Sequence, residues 1–394
     1  MTAIIDQVAL RSYRLGRVRQ QMEERDIAAC VLVDPVNIRY ASGSRNMAIF
    51  TARNPARYLF VAAQGPVVLF EFTGALHLAD GIETIDEVRP AITASYVAAG
   101  TGVGAVEVAW ADQIAALVGE HCGPSVTVGV ERVNAGAAAA LSAHGFRVVD
   151  AQEPVERARA IKSSDEIVCI RESLAATEQA MAAMQAELRP GISENELWSV
   201  FHQQVIARGG DYIETRLLSS GSHTNPWFQE TSAKIIGANE LVAFDTDVVG
   251  CHGYYADYSR TFHAGPGQPS PTQRELYRIA HEQVEHNMAI IEPGLAFVEY
   301  SEKAWDLPER FAAHRYYLSS HGVGMTGEYP YLYHAQDFAG FGYDGVIEPG
   351  MTLCVESFIG ADEGEGVKLE QQILVTDDGT ELLSHYPFDD ALLG

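Results

Sequence analysis

The chain has 394 residues, 47% of them hydrophobic, which is enough for sizeable cores and a length that suggests two domains. Its 53 acidic residues against 27 basic ones give a formal charge of −26, which disfavours nucleic acid or an anionic membrane as a partner. The opening MTAIIDQVALRSYRLGRVRQQM lacks the apolar core of a signal peptide, and no run is long enough to span a membrane. Five scattered cysteines (Cys30, Cys122, Cys169, Cys251, Cys354) form no CxxC pair and read as buried thiols of a reducing, cytoplasmic protein.

In chain order, a helix is predicted near Ser12–Arg25, followed by an apolar strand at Ala28–Val33 that Asp34-Pro35 ends. Tyr58–Ala63 and Val67–Phe72 read as a hairpin around Gln64-Gly65-Pro66. A helix near Ala109–His121, a strand at Val126–Val130 and an alanine-rich helix closing at Gly145 complete an α/β domain over residues 1–155. Gly100-Thr-Gly102-Val-Gly104 only loosely resembles a phosphate loop, because no strand leads into it and no GKS/T follows; it reads as a plain loop.

A second domain is expected over residues 156–394. Ser163 or Ser164 caps a helix with Ile167, Ile170, Leu174, Met181, Met184 and Leu188 along one face, and Pro190-Gly191 ends it. Ser193 with Glu196 is a capping-box signature for a second helix running to Gly209-Gly210. The domain then repeats itself. LRPGISENEL at 188–197 matches IEPGLAFVEY at 291–300, and Leu218-Ser219-Ser220 matches Leu318-Ser319-Ser320. Each copy continues into a strand pair, 241–263 in the first and 351–376 in the second.

Six candidate metal ligands lie in this domain: Asp245, Asp247, Asp257, His321, Glu356 and Glu370. Each sits in an apolar strand or tight turn, where a carboxylate is costly to desolvate without compensation, and few Lys or Arg are nearby to pair with them. Asp247 and Asp257 fall on two arms of a hairpin turning at Gly250–Gly253. Glu356 and Glu370 fall on the arms of another, turning through Gly360–Gly366. Packed about a pseudo-twofold axis, the hairpins bring four carboxylates together, which with His321 suit two divalent ions. Oxygen-rich ligands with one imidazole favour Mn, Fe, Co or Zn.

The motifs RAIKSSDEI, YADYSRTF, HGVGM and GVKLE resemble those of the pita-bread superfamily of methionine aminopeptidase, aminopeptidase P, proline dipeptidase and creatinase. The resemblance implies an α/β (α+β) fold with a creatinase-like N-terminal domain before a duplicated pita-bread catalytic domain. Ligand roles carry over to Asp257, His321, Glu356 and Glu370. The peptidases place their first Asp at the position of Thr246, which here lies between Asp245 and Asp247. Two peptidase histidines are replaced: Glu328 stands where the proton shuttle would be, and Trp227 or Phe228 where another pocket histidine would be. His223, nearby, reads as a surface or structural loop histidine.

FDTD, TNPWFQE, NMAIFTARNPARY and EGVKLEQQILVTDDG are similar to the dimethylsulfoniopropionate lyases of this fold. That likeness implies β-elimination on a small zwitterionic onium carboxylate, giving dimethyl sulfide and acrylate, with iron a common metal. Departures are Gly327, where the lyases tend to place an acid, and Phe50, where they tend to have tryptophan. Glu328 is then the candidate replacement base, in competition with metal-bound hydroxide, and Tyr316 a further candidate catalytic residue. Trp227 and Phe228 are expected around the onium head, with Tyr254, Tyr255, Tyr331 and Tyr333 as other aromatic candidates. Creatinase-type relatives imply a homodimer in which Asn46–Arg57 approaches the partner's site and Phe50 reaches substrate. A metal-dependent hydrolase of the same fold, on an Xaa-Pro peptide or small amide, is the alternative activity; a non-catalytic binding module is the third reading.

Overall fold

A computed structural model describes residues 5–360 and 364–394. It divides into two units, Met1–Arg159 and Ala160–Gly394. The expected boundary near 155 falls inside the helix Gln152–Ala160, and the units part at that helix's C-terminal end.

The first unit is built on a six-stranded sheet, with β1 Ala29–Leu32, β2 Tyr58–Ala62, β3 Val67–Glu71, β4 Glu87–Pro90, β5 Thr127–Val130 and β6 Arg147–Asp150. Spatial order is β4-β3-β2-β1-β5-β6. The hairpin pairs β2 and β3 antiparallel, whereas β5 and β6, reached through helices, run parallel to β1. Val31, Phe60, Phe70 and Val128 meet Trp110, Ile114 and Val118 of the helix Val103–His121 in the core. The first helix begins at Gln7, ahead of the predicted Ser12, because the Asp6 side chain accepts from the Val8 and Ala9 amides and caps it. Gly100–Gly102 forms a single 3₁₀ turn before the long helix.

In the second unit both predicted capping boxes form, Ser163 with Glu166 and Ser193 with Glu196, at the starts of helices Ser164–Glu187 and Glu194–Ala207. The first copy adds β7 Tyr212–Ile213, β8 Leu218–Ser220, β9 Leu241–Asp245, β10 Val248–Val249, β11 Tyr255–Ala256 and β12 Ser259–His263. The second opens with helices Pro271–Ile290 and Phe297–Lys303, then β13 Ser320–Val323, β14 Gly327–Leu332, β15 Thr352–Gly360, β16 Gly366–Thr376 and β17 Gly379–Leu382. Sheets of order β11-β10-β7, β12-β9-β8 and β14-β13-β15-β16-β17 result. Residues 361–363 of the expected second turn lie outside the described residues; Gly360 and Gly366 on either side are paired.

The helix Pro271–Ile290 lays Leu276, Ile279, Ala280 and Val284 on Ile359, Val367 and Leu369, the apolar backs of β15 and β16. Thr261 joins the two copies: its hydroxyl donates to Lys368 O (2.9 Å) and accepts from Lys368 N (3.0 Å), tying β12 to β16. The opposite faces of these strands are thereby held around one polar centre. Among the described residues no helix is long and apolar enough to cross a membrane.

Candidate metal centre

Strand register creates the site. Glu356 on β15 and Glu370 on β16 are direct cross-strand partners, and Asp245 at the end of β9 lies opposite Ser259 of β12. Two like charges opposite one another are unfavourable in a sheet unless something neutralises them. His321 enters from β13, where a register shift after it bulges β14. Its Nε2 lies 3.6 Å from Asp257 Oδ2, 3.6 Å from Glu356 Oε1 and 3.5 Å from Glu370 Oε1. These separations exceed hydrogen-bond length and are the spacing of donors around a shared centre. On its other side His321 Nδ1 donates to Gly322 O at 2.9 Å, which turns Nε2 toward the carboxylates.

Glu356 Oε1 and Glu370 Oε1 are buried without a hydrogen-bond partner, while their outer oxygens are held by Lys368 Nζ, at 2.8 Å from Glu356 Oε2 and 3.0 Å from Glu370 Oε2. Lys368 also lies 3.5 Å from Asp245 Oδ2 and is fully buried. The expectation of few nearby cations is therefore corrected. Lys368 and Glu370 are two residues apart on one strand and share a face, a period-2 signal readable in GVKLE. Five carboxylates against one lysine leave four formal negative charges, which two divalent ions would balance.

Asp247 sits at the break between β9 and β10 with φ +44°; its carboxylate accepts from Tyr255 OH (3.0 Å) and from Thr215 Oγ1. Thr246, between the two aspartates, turns inward to donate to Ala256 O (2.9 Å) and accept from Tyr258 N (3.0 Å), clasping the two arms together. Burial, then Asp245, pushes Asp247 up to about 8; burial pushes Glu356 up to about 7 despite Lys368. Asp257 is raised well above the carboxylate range by burial and by Glu370, Asp247 and Asp245. Burial would raise Glu370 and lower His321. Lys368 and His321 instead hold Glu370 low, and Glu370 with Glu356 carries His321 up to about 9. Orphaned oxygens and carboxyls that retain protons describe a donor set that fits divalent cations.

A cavity of about 380 Å³ opens over this centre. Asp245, Asp247, Asp257, His321, Glu356 and Glu370 all line it, with Glu214, Thr215, Leu217, Phe228, Glu230, Tyr255, Tyr316, Tyr317, Thr326, Gly327 and Tyr331. Phe228, at φ +72°, projects into solvent (57% exposed) with its ring 5.4 Å from that of Tyr316; Tyr316 and Tyr317 lie 4.8 Å apart. Burial keeps the Tyr316 phenol protonated by raising it far above its ordinary value.

Four residues expected at the site lie off this cavity: Glu328, Trp227, Tyr254 and Tyr333. Glu328 does not face the cavity. β14 alternates, so Gly327 looks toward His321 and Glu328 looks away into a buried ion pair with Lys162 Nζ at 2.6 Å. A Cβ on Gly324 would come 2.3 Å from Glu328 Oε1, so glycine there leaves room for that pair. Trp227 does not line the cavity either; it packs in a small core with Leu217, Ala243 and Phe358. The Lys368 ammonium lies 4.9 Å from the Tyr316 ring centroid and 5.8 Å from that of Trp227, so the buried indole faces this lysine. Among the other aromatic candidates, Tyr254 is buried with its hydroxyl on Glu166 at 2.8 Å, and Tyr333 lines a neighbouring hollow. His223 lies away from the cavity, near Glu194. Phe50 belongs to the first unit, where it is half exposed and 6.1 Å from Phe72.

Sequence reasoning missed Cys354 and Glu214. The Cys354 thiol lies among Asp257, His321 and Glu370, and burial raises it well above its ordinary value. It stands two residues before Glu356 on the same strand face, the same signal as Lys368. Glu214 Oε2 lies 3.1 Å from Tyr255 OH, whose one proton it shares with Asp247, and accepts from Thr326 Oγ1 (3.3 Å). DYIETR carries no pattern that marks it.

A two-unit α/β chain whose duplicated half gathers five carboxylates and one imidazole at the centre of its strands is a pita-bread metalloenzyme architecture. Its second half matches Metallopeptidase family M24 over residues 168–377, and its first the Creatinase/Prolidase N-terminal domain over 14–161. The chain belongs to family M24. It is 37% identical to dimethylsulfoniopropionate lyase DddP of Roseovarius nubinhibens, over 100% of this chain and 89% of that protein. It is 34% identical to the DddP of Roseobacter denitrificans, over 99% and 88%. Among solved structures, an Xaa-Pro dipeptidase from Bacillus anthracis superposes with TM-score 0.77 at 21% identity, covering 96% of this chain and 99% of that one. A prolidase from Pyrococcus furiosus gives 0.73 at 20%, covering 93% and 99%. Those two likenesses carry the fold.

Proposed function

We propose that the protein is a lyase that breaks a C–S bond β to a carboxylate in a small sulfonium zwitterion, giving dimethyl sulfide and acrylate from dimethylsulfoniopropionate. Full-length identity to two lyases of that name supports the reading. The cavity wall carries it: among the described residues His321 is the one imidazole that lines it, Phe228 of the Trp227-Phe228 pair stands on it, and β14 presents Gly327 while Glu328 turns away. With no second imidazole among the described lining residues, the wall lacks the histidine proton donors of the peptidases.

Asp245, Asp247, Asp257, His321, Glu356 and Glu370 would hold two divalent ions, iron, manganese, zinc or cobalt, whose chemistry is to bind the substrate carboxylate and neutralise charge developing on it. Lys368 fixes the outer oxygens of both glutamates so that the inner ones stay aimed inward. Phe228, Tyr316, Tyr317 and Tyr331 offer ring faces to the sulfonium, each contributing about 0.5–2 kcal/mol. Glu214 serves as base: it takes the proton from the carbon next to the carboxylate, the C–H electrons form the double bond, and the C–S electrons leave with neutral dimethyl sulfide. Its hydrogen bonds from Tyr255 and Thr326 place it beside Gly327, where a side chain would otherwise stand near His321.

Membership of M24 favours a second reading, hydrolysis of an Xaa-Pro peptide or small amide at the same metals. Metal-loaded protein given dimethylsulfoniopropionate and Xaa-Pro dipeptides in parallel separates the two. Dimethyl sulfide with no free proline supports the lyase; free proline with no volatile sulfide replaces it with the hydrolase. The exposed Phe50 is consistent with a homodimer in which it reaches a partner's cavity, testable by light scattering.

A further inference from the structure

The turn between β10 and β11 carries a second set of donors, which the cavity does not use. Residues 250–253 read Gly-Cys-His-Gly, and the turn rests on the helix Ser164–Glu187. Gly250 is pressed onto that helix: a Cβ there would lie 2.0 Å from Ser173 Oγ. Hydrogen bonds from Gly250 N to Tyr254 O (2.8 Å) and from Gly253 N to Gly250 O (2.9 Å) close the turn. The backbone of Cys251 and His252 is thus fixed over one helical residue, Glu172, with His252 Nε2 2.8 Å from Glu172 Oε2. One donor atom each from Glu172, Cys251 and His252 lies within 4.8 Å of the others. All three side chains are partly exposed, so an ion can reach them.

Zinc bound tetrahedrally, at about 2.0–2.2 Å to nitrogen or oxygen and 2.3 Å to sulfur, holds its ligand atoms roughly 3.3–3.8 Å apart. The trio, within 4.8 Å of one another, must draw in by about 1–1.5 Å to reach that spacing. One thiolate, one imidazole and one carboxylate make a softer set than the oxygen-rich cavity, which selects zinc over manganese or magnesium. We propose that Glu172, Cys251 and His252 form a second metal site, which takes a thiophilic divalent cation of the zinc class with water as fourth ligand. Binding replaces the Cys251 thiol proton, and any proton on Nε2, with the ion.

The test uses full-length protein already loaded at its cavity and titrated with zinc. Cys251 alkylation by iodoacetamide is followed by mass spectrometry while zinc retained per chain is measured. Zinc is expected to slow Cys251 alkylation by about tenfold or more, because a metal-bound thiolate is withheld from the reagent. His252→Ala and Glu172→Gln should lose that protection, and Cys251→Ser should retain one zinc fewer per chain. With cobalt in place of zinc, a thiolate-to-metal absorption band should vanish in Cys251→Ser and survive in Cys354→Ser, which separates this site from the Cys354 thiol beside Asp257, His321 and Glu370. Equal alkylation rates with and without zinc, or equal zinc in parent and Cys251→Ser, overturns the proposal.

Discussion

Lys368→Met removes the buried lysine among the candidate ligands while keeping most of the side-chain volume. In the parent its ammonium faces Glu356 at 2.8 Å, Glu370 at 3.0 Å and Asp245 at 3.5 Å. A single pair at 3 Å is worth roughly 5 kcal/mol at an effective dielectric of 20, before desolvation is subtracted. Taking one partner out of a buried ionic cluster costs about 3–5 kcal/mol net. For a unit of this size each kcal/mol moves Tm by about 2–4 °C, so the metal-stripped variant should melt roughly 6–20 °C below the metal-stripped parent. Divalent ions neutralise the same carboxylates, so loading both proteins with metal should shrink the gap. The pH dependence has a definite sign. In the parent Glu370 is held below its ordinary value, so its stabilisation is present at neutral pH and lost as the solution is acidified through that depressed value. Without Lys368 burial dominates, Glu370 rises, and the variant gains stability on acidification as the carboxyl takes up its proton. The gap between the two melting curves should therefore narrow as the solution is acidified below neutrality. Calorimetry on chelator-treated protein provides the assay. A metal-stripped variant within about 2 °C of the parent at pH 7 would falsify the assignment of Lys368 as the organiser of the glutamate pair.

Asp257→Ala and Glu356→Ala should leave folded protein that has lost metal and activity, read by elemental analysis beside circular dichroism. Because Glu356, Asp247 and His321 sit at about 7, 8 and 9 without metal, loading should release protons and strengthen as pH rises from 6 to 9, measurable as proton uptake by a pH indicator on chelation. Glu214→Gln should lower kcat by about 10²–10⁴ with metal content unchanged. Glu328→Gln should instead lower Tm, because it leaves Lys162 buried without its counter-charge at a cost of about 3–5 kcal/mol. Phe228→Ala should raise KM by a few-fold to about thirtyfold, matching about 0.5–2 kcal/mol for a cation on a ring. Trp227→Ala should cost about 3–5 kcal/mol of stability as a core truncation.

The hairpins, both capping boxes and the convergence of six donors were legible because each rests on a local period or a local pairing. Glu356 and Glu370 could be placed opposite each other from apolar alternation about one turn. The same alternation, applied to GEYPYL, puts Gly327 and Glu328 on opposite faces; matching Glu328 to a motif position hid that. Lys368 and Cys354 were readable by the same two-residue step back from Glu370 and Glu356. Glu214 was not, since its approach to the cavity depends on how a two-residue strand packs against β10. Trp227 reads as a binding-site aromatic because TNPWFQE sets it or Phe228 where the peptidases have a pocket histidine; in the structure Phe228, at φ +72°, is the exposed ring and Trp227 is buried.

The opposed glutamates have a consequence for the lifetime of the protein. A hairpin with two acids face to face at its middle, held by Lys368 alone when metal is absent, closes more readily when divalent cations arrive, and whatever binds the folded chain alone shifts its folding equilibrium by mass action. Protease susceptibility should then follow the metal supply of the surroundings. Starvation for metal would thin the population of molecules as well as idle the survivors, so abundance itself becomes a readout of the ions the strands were built to receive.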